Sequence, residues 1–234
     1  ANLIGNINAG GGGVNRNVII NGAMNVAQRG TSSTGLGATD GYFTADRFKL
    51  DFSSLDGRLT QTQDSSAPSG FANSLKLDCT TADTSIAAGE YMFLTQLIEG
   101  QNVQAFAKGT SDAKPFAVSF YVKGNASATY VCELYDGDNN RQISKTFSVT
   151  TDWTRIELSF PADTTGALDD DNAVSLYLNI WLHSGSTFTG GTLNSSAWAS
   201  NTNANRAAGI SSFFDSTDRT FFITGVQLEV GQNP

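Results

Sequence analysis

Histidine occurs once in this chain, at position 183, cysteine twice and proline four times. No apolar run approaches the roughly 20 residues that a membrane-spanning helix needs, so no membrane insertion is expected. A lone histidine without a G-x-S-x-G or Cys-His context gives a serine or cysteine triad nothing to rest on. Cys79 and Cys132 each sit inside an alternating run, LKLDC and YVCEL, with no second cysteine at metal-ligating spacing. They read as buried free thiols; a disulfide would require their Cα atoms within about 7 Å. Positive charge is also scarce: 14 Lys and Arg against 22 Asp and Glu leave a net charge of −8 and a pI near 4.5. That field repels nucleic-acid backbones and anionic membranes, which excludes nucleic acid as an expected partner. The four glycines at 10–13 lack the Lys-Ser/Thr of a phosphate loop, and the N-terminus lacks a basic-then-apolar signal pattern.

Only 15% of residues are charged and 39% are hydrophobic, with 24 glycines and abundant Ser, Thr and Asn. This balance favours many short strands joined by turns over long amphipathic helices, and 234 residues suffice for one large sandwich. Residues 1–16, ANLIGNINAGGGGVNR, read as an extended glycine-rich arm or linker, and residues 17–234 as the folded domain. A start at Ala1 and a stop at Pro234 would suit a segment of a longer fibre.

Strand periodicity recurs along that domain. It begins with the β-branched run Asn17–Gly22 and continues after a loose Gly/Ser/Thr loop into Phe48, Leu50 and Phe52. Asp56-Gly57 is a candidate hairpin turn leading into 58–63. Residues 74–79 alternate, and in 90–98 Tyr91, Phe93, Thr95 and Leu97 oppose Met92, Leu94, Gln96 and Ile98. Residues 102–109 are the one short helix candidate, ending at Gly109. In 116–123 Phe116, Val118, Phe120 and Val122 share a face; 129–135 and 142–149 form a hairpin through Asp136–Asn140. Runs 153–160 and 173–182 follow, then a long polar loop, 184–209, around Trp198, and a closing run at 219–230. About ten strands with one apolar face each predict an all-β fold, an antiparallel β-sandwich of jelly-roll type.

On the outward faces of the strong strands Tyr121, Tyr177 and Trp181 recur among Asn179, Ser119, Lys123, Ser175, Glu133 and Arg155. Rings among amides and hydroxyls suit a sugar, which presents an apolar C–H face and a rim of hydroxyls. Tyr121, Tyr177, Asn179, Trp181 and Trp198 are therefore the candidate glycan-binding residues. The same side chains suit a subunit interface equally, and Trp198 either pins its loop or meets a ligand. Trp153 is expected in the core. Two acidic groups, Asp136/Asp138 and Asp169/Asp171, carry the oxygens calcium prefers, but neither has EF-hand spacing, and each reads more simply as a turn or a solvated loop. No catalytic residue and no cofactor is expected.

The motifs N-x-I-I-N-G at 17–22, Gln28-Arg29-Gly30, Ala45-Asp46-Arg47-Phe48, Leu94-x-Gln96-x-Ile98-Glu99-Gly100, Ser119-Phe120-x-Val122-Lys123, Trp153-Thr154, Asn194-x-x-x-Trp198 and Thr224–Gly231 occur in series. Together they resemble a family of bacteriophage tail-fibre and related virion proteins whose module is similar to carbohydrate-binding jelly rolls. The resemblance implies a virion structural protein, not an enzyme: a tail-fibre or receptor-binding module, assembling as a homotrimer with other virion proteins and contacting host-surface polysaccharide. A head-decoration or connector subunit, or the sugar-binding module of a secreted polysaccharide-degrading enzyme, are the alternatives. A structural calcium would be compatible with such a module. Asp46-Arg47 and Gln28-Arg29 read as architecture, arginines bonding backbone carbonyls at a tight corner.

Overall fold

The computed structural model describes residues 17–232; the arm expected at 1–16 lies outside the described residues. Twelve strands follow in order: β1 Ser32–Leu36, β2 Lys49–Ser53, β3 Arg58–Asp64, β4 Ser74–Thr81, β5 Tyr91–Glu99, β6 Phe116–Gly124, β7 Ala128–Asp136, β8 Arg141–Val149, β9 Thr154–Phe160, β10 Val174–Ser184, β11 Ala199–Ser200 and β12 Thr220–Val230. They make two six-stranded antiparallel sheets, ordered β1-β3-β4-β12-β6-β9 and β11-β8-β7-β10-β5-β2. This is the jelly-roll sandwich that the alternation predicts.

Period-2 patterning is what aligns each strand. On β6 Phe116, Val118, Phe120 and Val122 are fully buried, and on β10 Leu176, Leu178, Ile180 and Leu182 face them from the second sheet. These side chains, with Leu75, Leu77, Met92, Leu94, Leu134 and Leu228, form one continuous core between the sheets. Cys79 on β4 and Cys132 on β7 are buried free thiols within it. Burial pushes the Cys79 thiol up to about 11, which keeps it protonated and unreactive at neutral pH.

Several local expectations are replaced. The helix expected at 102–109 is two 3-10 turns, Gly100–Asn102 and Gln104–Phe106, and Ala107 ends the second by entering the left-handed region at φ 49°. One helical turn, α1 Ser186–Thr189, lies in the long loop instead. Asp56-Gly57 joins strands of different sheets, so β2 and β3 form no hairpin. The Gly/Ser/Thr stretch read as a loop contains β1. Trp153 stands half-buried on the outer face of the first sheet, edge-on to Phe222 with Lys123 over its ring, rather than in the core.

Residues 17–22 run beside β12 without regular pairing: Val18 N–H donates to Leu228 O and Val226 N–H to Gly22 O, each at 3.0 Å. Gly22 is required there, since a Cβ would sit 2.1 Å from Val226 O. Asn21 bonds Val26 and the Asp46 carbonyl, Asp46 accepts from Gln28 N–H and Arg29, Arg47 pairs with Glu99, and Gln96 holds both backbone groups of Ile20. The motif residues at 17–22, 28–29, 46–47, 96–99 and 226–228 thus converge on one corner of the sandwich, whereas Trp153 and Trp198 lie elsewhere.

Candidate ligand-binding groove

Strand register builds a patterned surface on the outer face of the second sheet. Adjacent residues across β2, β5, β10 and β7 form three rows: Leu97, Tyr177 and Tyr135; Lys49, Thr95, Asn179 and Glu133; and Asp51, Phe93, Trp181 and Val131. Apolar or aromatic rows therefore flank a polar middle row, because every second position on four strands points the same way.

The segment after β10 folds over one side of this face. Phe188 on α1 and Ala207 close on Trp181 and Val131 as a small second apolar cluster, which Tyr91 and Phe93 join. Arg206 is carried in the same segment and lands between the rings of Tyr135 and Trp181, 5.1 and 4.9 Å from their centroids. Its guanidinium grips Glu133 in two parallel bonds, Nε to Oε1 at 2.7 Å and Nη2 to Oε2 at 2.8 Å. Burial opposes the guanidinium charge, but the Glu133 carboxylate more than offsets it and holds Arg206 above its ordinary value. Glu133 also accepts from Asn179 Nδ2 and Trp181 Nε1, which accounts for an otherwise costly buried carboxylate.

Between Arg206 and edge strand β2 remains a groove of about 320 Å³ lined by Lys49, Asp51, Phe93, Thr95, Leu97, Tyr135, Tyr177, Asn179 and Arg206. Tyr135 and Tyr177 meet at 5.5 Å along one side; Tyr177 can lie there because Gly137 has no Cβ to strike its ring. On the floor Thr95 Oγ1 and Asn179 Oδ1 are buried and have no hydrogen-bond partner. The opposite edge is charged: Lys49 bonds Asp51 and Asp40, and Tyr91 donates to Asp51. Burial, reinforced by the Asp51 carboxylate, pushes the Tyr91 phenol up to about 12, so it remains a donor.

The five expected glycan residues do not form one platform. Tyr177 lines the groove. Asn179 contributes to its floor, but Trp181 is fully buried beneath Phe188 and Arg206, because the long polar loop folds back over it. Tyr121 belongs to β6 of the other sheet and packs against Phe71 on the far side of the molecule. Trp198 is part of the core: its indole donates to Pro161 O, its ring meets Phe116, and Lys108 lies over it. The groove's other members, Phe93, Thr95, Leu97, Tyr135, Lys49 and Asp51, were legible only as positions in alternating strands; nothing in the pattern marked which positions would share a groove, and Arg206 lies in the featureless loop.

The calcium candidates are accounted for by protein groups. Asp136 is fully buried and paired with the Lys108 ammonium, whose Nζ also bonds Asp163 at 3.1 Å and the carbonyls of Thr165 and Gly166 at 3.1 and 2.8 Å. An internal cation thus fills the oxygen cage. Asp138 accepts the Asp169 N–H and Asp171 accepts the Ala173 N–H, so both serve as loop caps.

A second concavity, about 360 Å³, lies at the motif corner and is lined by Gln28, Arg29, Tyr42, Asp46 and Arg47. Arg29 stacks over Tyr42 and reaches Asp46 at 3.3 Å. Three of the four large apolar side chains that stand exposed among the described residues, Ile20, Val26 and Tyr42, belong to this same corner.

No protein-family model and no curated protein matches the chain. Solved structures do resemble it in shape. The enzymatically active domain of tailspike protein 4 of bacteriophage CBA120 aligns at a TM-score of 0.45 and 13% identity, covering 92% of this chain, which spans 21% of that one. A CBM4 structure aligns at 0.43 and 10% identity over 91% of this chain and 99% of its own. The family 11 carbohydrate-binding module from Clostridium thermocellum, in complex with a β-1,3-1,4-mixed-linked tetrasaccharide, aligns at 0.42 and 13% identity over 86% and 96%.

Proposed function

We propose that this chain is a non-catalytic glycan-binding module and that an uncharged, extended oligosaccharide lies in the groove on the second sheet. The observation that carries the reading is the floor of that groove. Thr95 Oγ1 and Asn179 Oδ1 are unpaired there, directly between an aromatic row and an apolar one. An unpaired buried polar atom costs about 1–3 kcal/mol; both atoms are covered in the groove, and small side-chain rotations would turn them to sugar hydroxyls while C–H faces rest on Tyr177, Tyr135 and Phe93. Both groove cations are already paired, Lys49 with Asp40 and Asp51, Arg206 with Glu133. That disfavours a polyanionic ligand. The same pairings occupy Asp51 and Glu133, the carboxylates beside the groove, which favours binding over hydrolysis.

The motif resemblance supports placing the module in a phage virion, as a tail-fibre or receptor-binding component that meets host-surface polysaccharide. The exposed apolar corner of Ile20, Val26 and Tyr42 supports a homotrimer assembled through that corner rather than through the groove. Glycan-array binding followed by binding to intact bacteria tests the first part; failure to retain any neutral oligosaccharide overturns it. Light scattering tests the second, with Ile20→Asp plus Val26→Asp expected to return a monomer that still binds glycan.

A further inference from the structure

We propose that Asp83, Glu90 and His183 form a binding site for one divalent transition-metal ion of the zinc type, separate from the groove. The three side chains come from different parts of the chain. Asp83 follows β4, Glu90 precedes β5, and His183 sits near the end of β10, where a bulge after Trp181 shifts the register. Backbone bonds bring these pieces together: Asp83 N–H to Phe214 O, Gly185 N–H to Glu90 O and Thr187 N–H to Ala88 O, all within 2.9 Å. Gly185 makes the approach feasible, since a Cβ there would be 2.0 Å from Ala87 O.

All three side chains are buried, and one ligand atom from each lies within 4.8 Å of the others. Two of those groups point into the cluster with nothing to bond: Asp83 Oδ2 and His183 Nε2 have no hydrogen-bond partner. His183 is held from its other side, where Nδ1 is 2.9 Å from Ser212 Oγ and the ring meets Phe214 edge-on. An imidazole oriented through one nitrogen, with the other free, is the arrangement found at histidine metal ligands. Asp83 is fixed likewise, its Oδ1 accepting the Ser85 N–H, and Glu90 Oε2 accepts the Ala87 N–H at 2.6 Å.

The spacing points the same way: Glu90 Oε2 is 3.9 Å from His183 Nε2. Two buried carboxylates meet an unbonded imidazole nitrogen here, an arrangement that a divalent ion completes. One nitrogen and two carboxylates match zinc's tetrahedral preference with a water in the fourth position; calcium would want six to eight oxygens. Tetrahedral bonds of about 2.0–2.2 Å place ligand atoms roughly 3.3–3.6 Å apart, so small side-chain rotations close the site. Residues 84–89 are exposed and provide the way in. The bound ion would tie the loop before β5 to the end of β10.

The chain's single histidine makes the test specific. Chelator-stripped full chain, labelled with 15N, is titrated with zinc chloride while the imidazole nitrogens are followed by NMR, with calcium chloride as the comparison. The expected result is a saturable shift of Nε2 at one equivalent of zinc and none with calcium. Asp83→Asn, which can still accept from Ser85, is expected to weaken zinc by more than the roughly 10–100-fold an outer partner is worth, and Ser212→Ala by about 10-fold. An imidazole signal unmoved by a fivefold excess of zinc overturns the proposal, as does saturable binding that leaves Nε2 unshifted. The titration needs no variant, and its result is independent of the glycan reading.

Discussion

Arg206 and Glu133 are 73 residues apart in sequence and are joined by two charge-assisted bonds of 2.7 and 2.8 Å. Glu133 sits on a strand in the middle of the second sheet; Arg206 arrives from a loop with no periodicity of its own. Their pairing converts that loop from a tether into one wall of the groove, since the guanidinium also fills the gap between Tyr135 and Trp181.

Breaking this pair from one side should therefore be expensive. Arg206→Met leaves Glu133 buried without its cation, for which a loss of about 3–5 kcal/mol is expected. Denaturant unfolding monitored by tryptophan fluorescence measures it, and the double variant Arg206→Met with Glu133→Gln is expected to recover part of the loss.

Ring contacts in the groove set the expected affinity pattern. Tyr177→Ala and Tyr135→Ala should each lower oligosaccharide affinity by about tenfold, the equivalent of roughly 1.4 kcal/mol, with less change in melting temperature than a core substitution because both residues are only partly buried. Tyr121→Ala, on the other sheet, should leave affinity unchanged. Isothermal titration with the best array ligand decides between these outcomes.

Lys108 occupies the position that a calcium ion would need at Asp136. Lys108→Met is expected to destabilise by about 3–5 kcal/mol, leaving Asp136 and Asp163 buried and facing each other. Millimolar calcium should give the wild-type chain no thermal shift; a rise of several degrees would mean that the acidic loops hold an ion after all.

Asp163 gives the pH dependence its sign. Burial pushes its carboxyl up, but bonds from Arg141, the Thr165 N–H and Lys108 outweigh that and hold it below the ordinary value. A depressed folded-state value means stability that is complete above the unfolded value near 4 and is lost as pH falls through the folded one. Asp163→Asn should accordingly cost most at neutral pH, and the gap from wild type should narrow below about pH 4. Thermal melts at pH 7, 5 and 3 measure that narrowing.

Strand alternation alone was enough to set the class of fold, because burial of one face per strand is a local, period-2 property that Phe116–Val122 and Leu176–Leu182 display openly. It also turned Tyr177 outward, and grouped Tyr91, Phe93, Thr95 and Leu97 on one face without deciding which face that was. It carried no information on sheet membership: Tyr121 and Tyr177 look alike in sequence, yet strand order puts them on opposite sides of the sandwich. Nor could periodicity show that residues 186–210 would return over Trp181, since that loop is held by Arg206, Phe188 and backbone bonds to distant strands. The groove, and the meeting of His183 with Asp83 and Glu90, are products of long-range pairing, and contacts between residues dozens of positions apart leave no periodic trace in the chain that makes them.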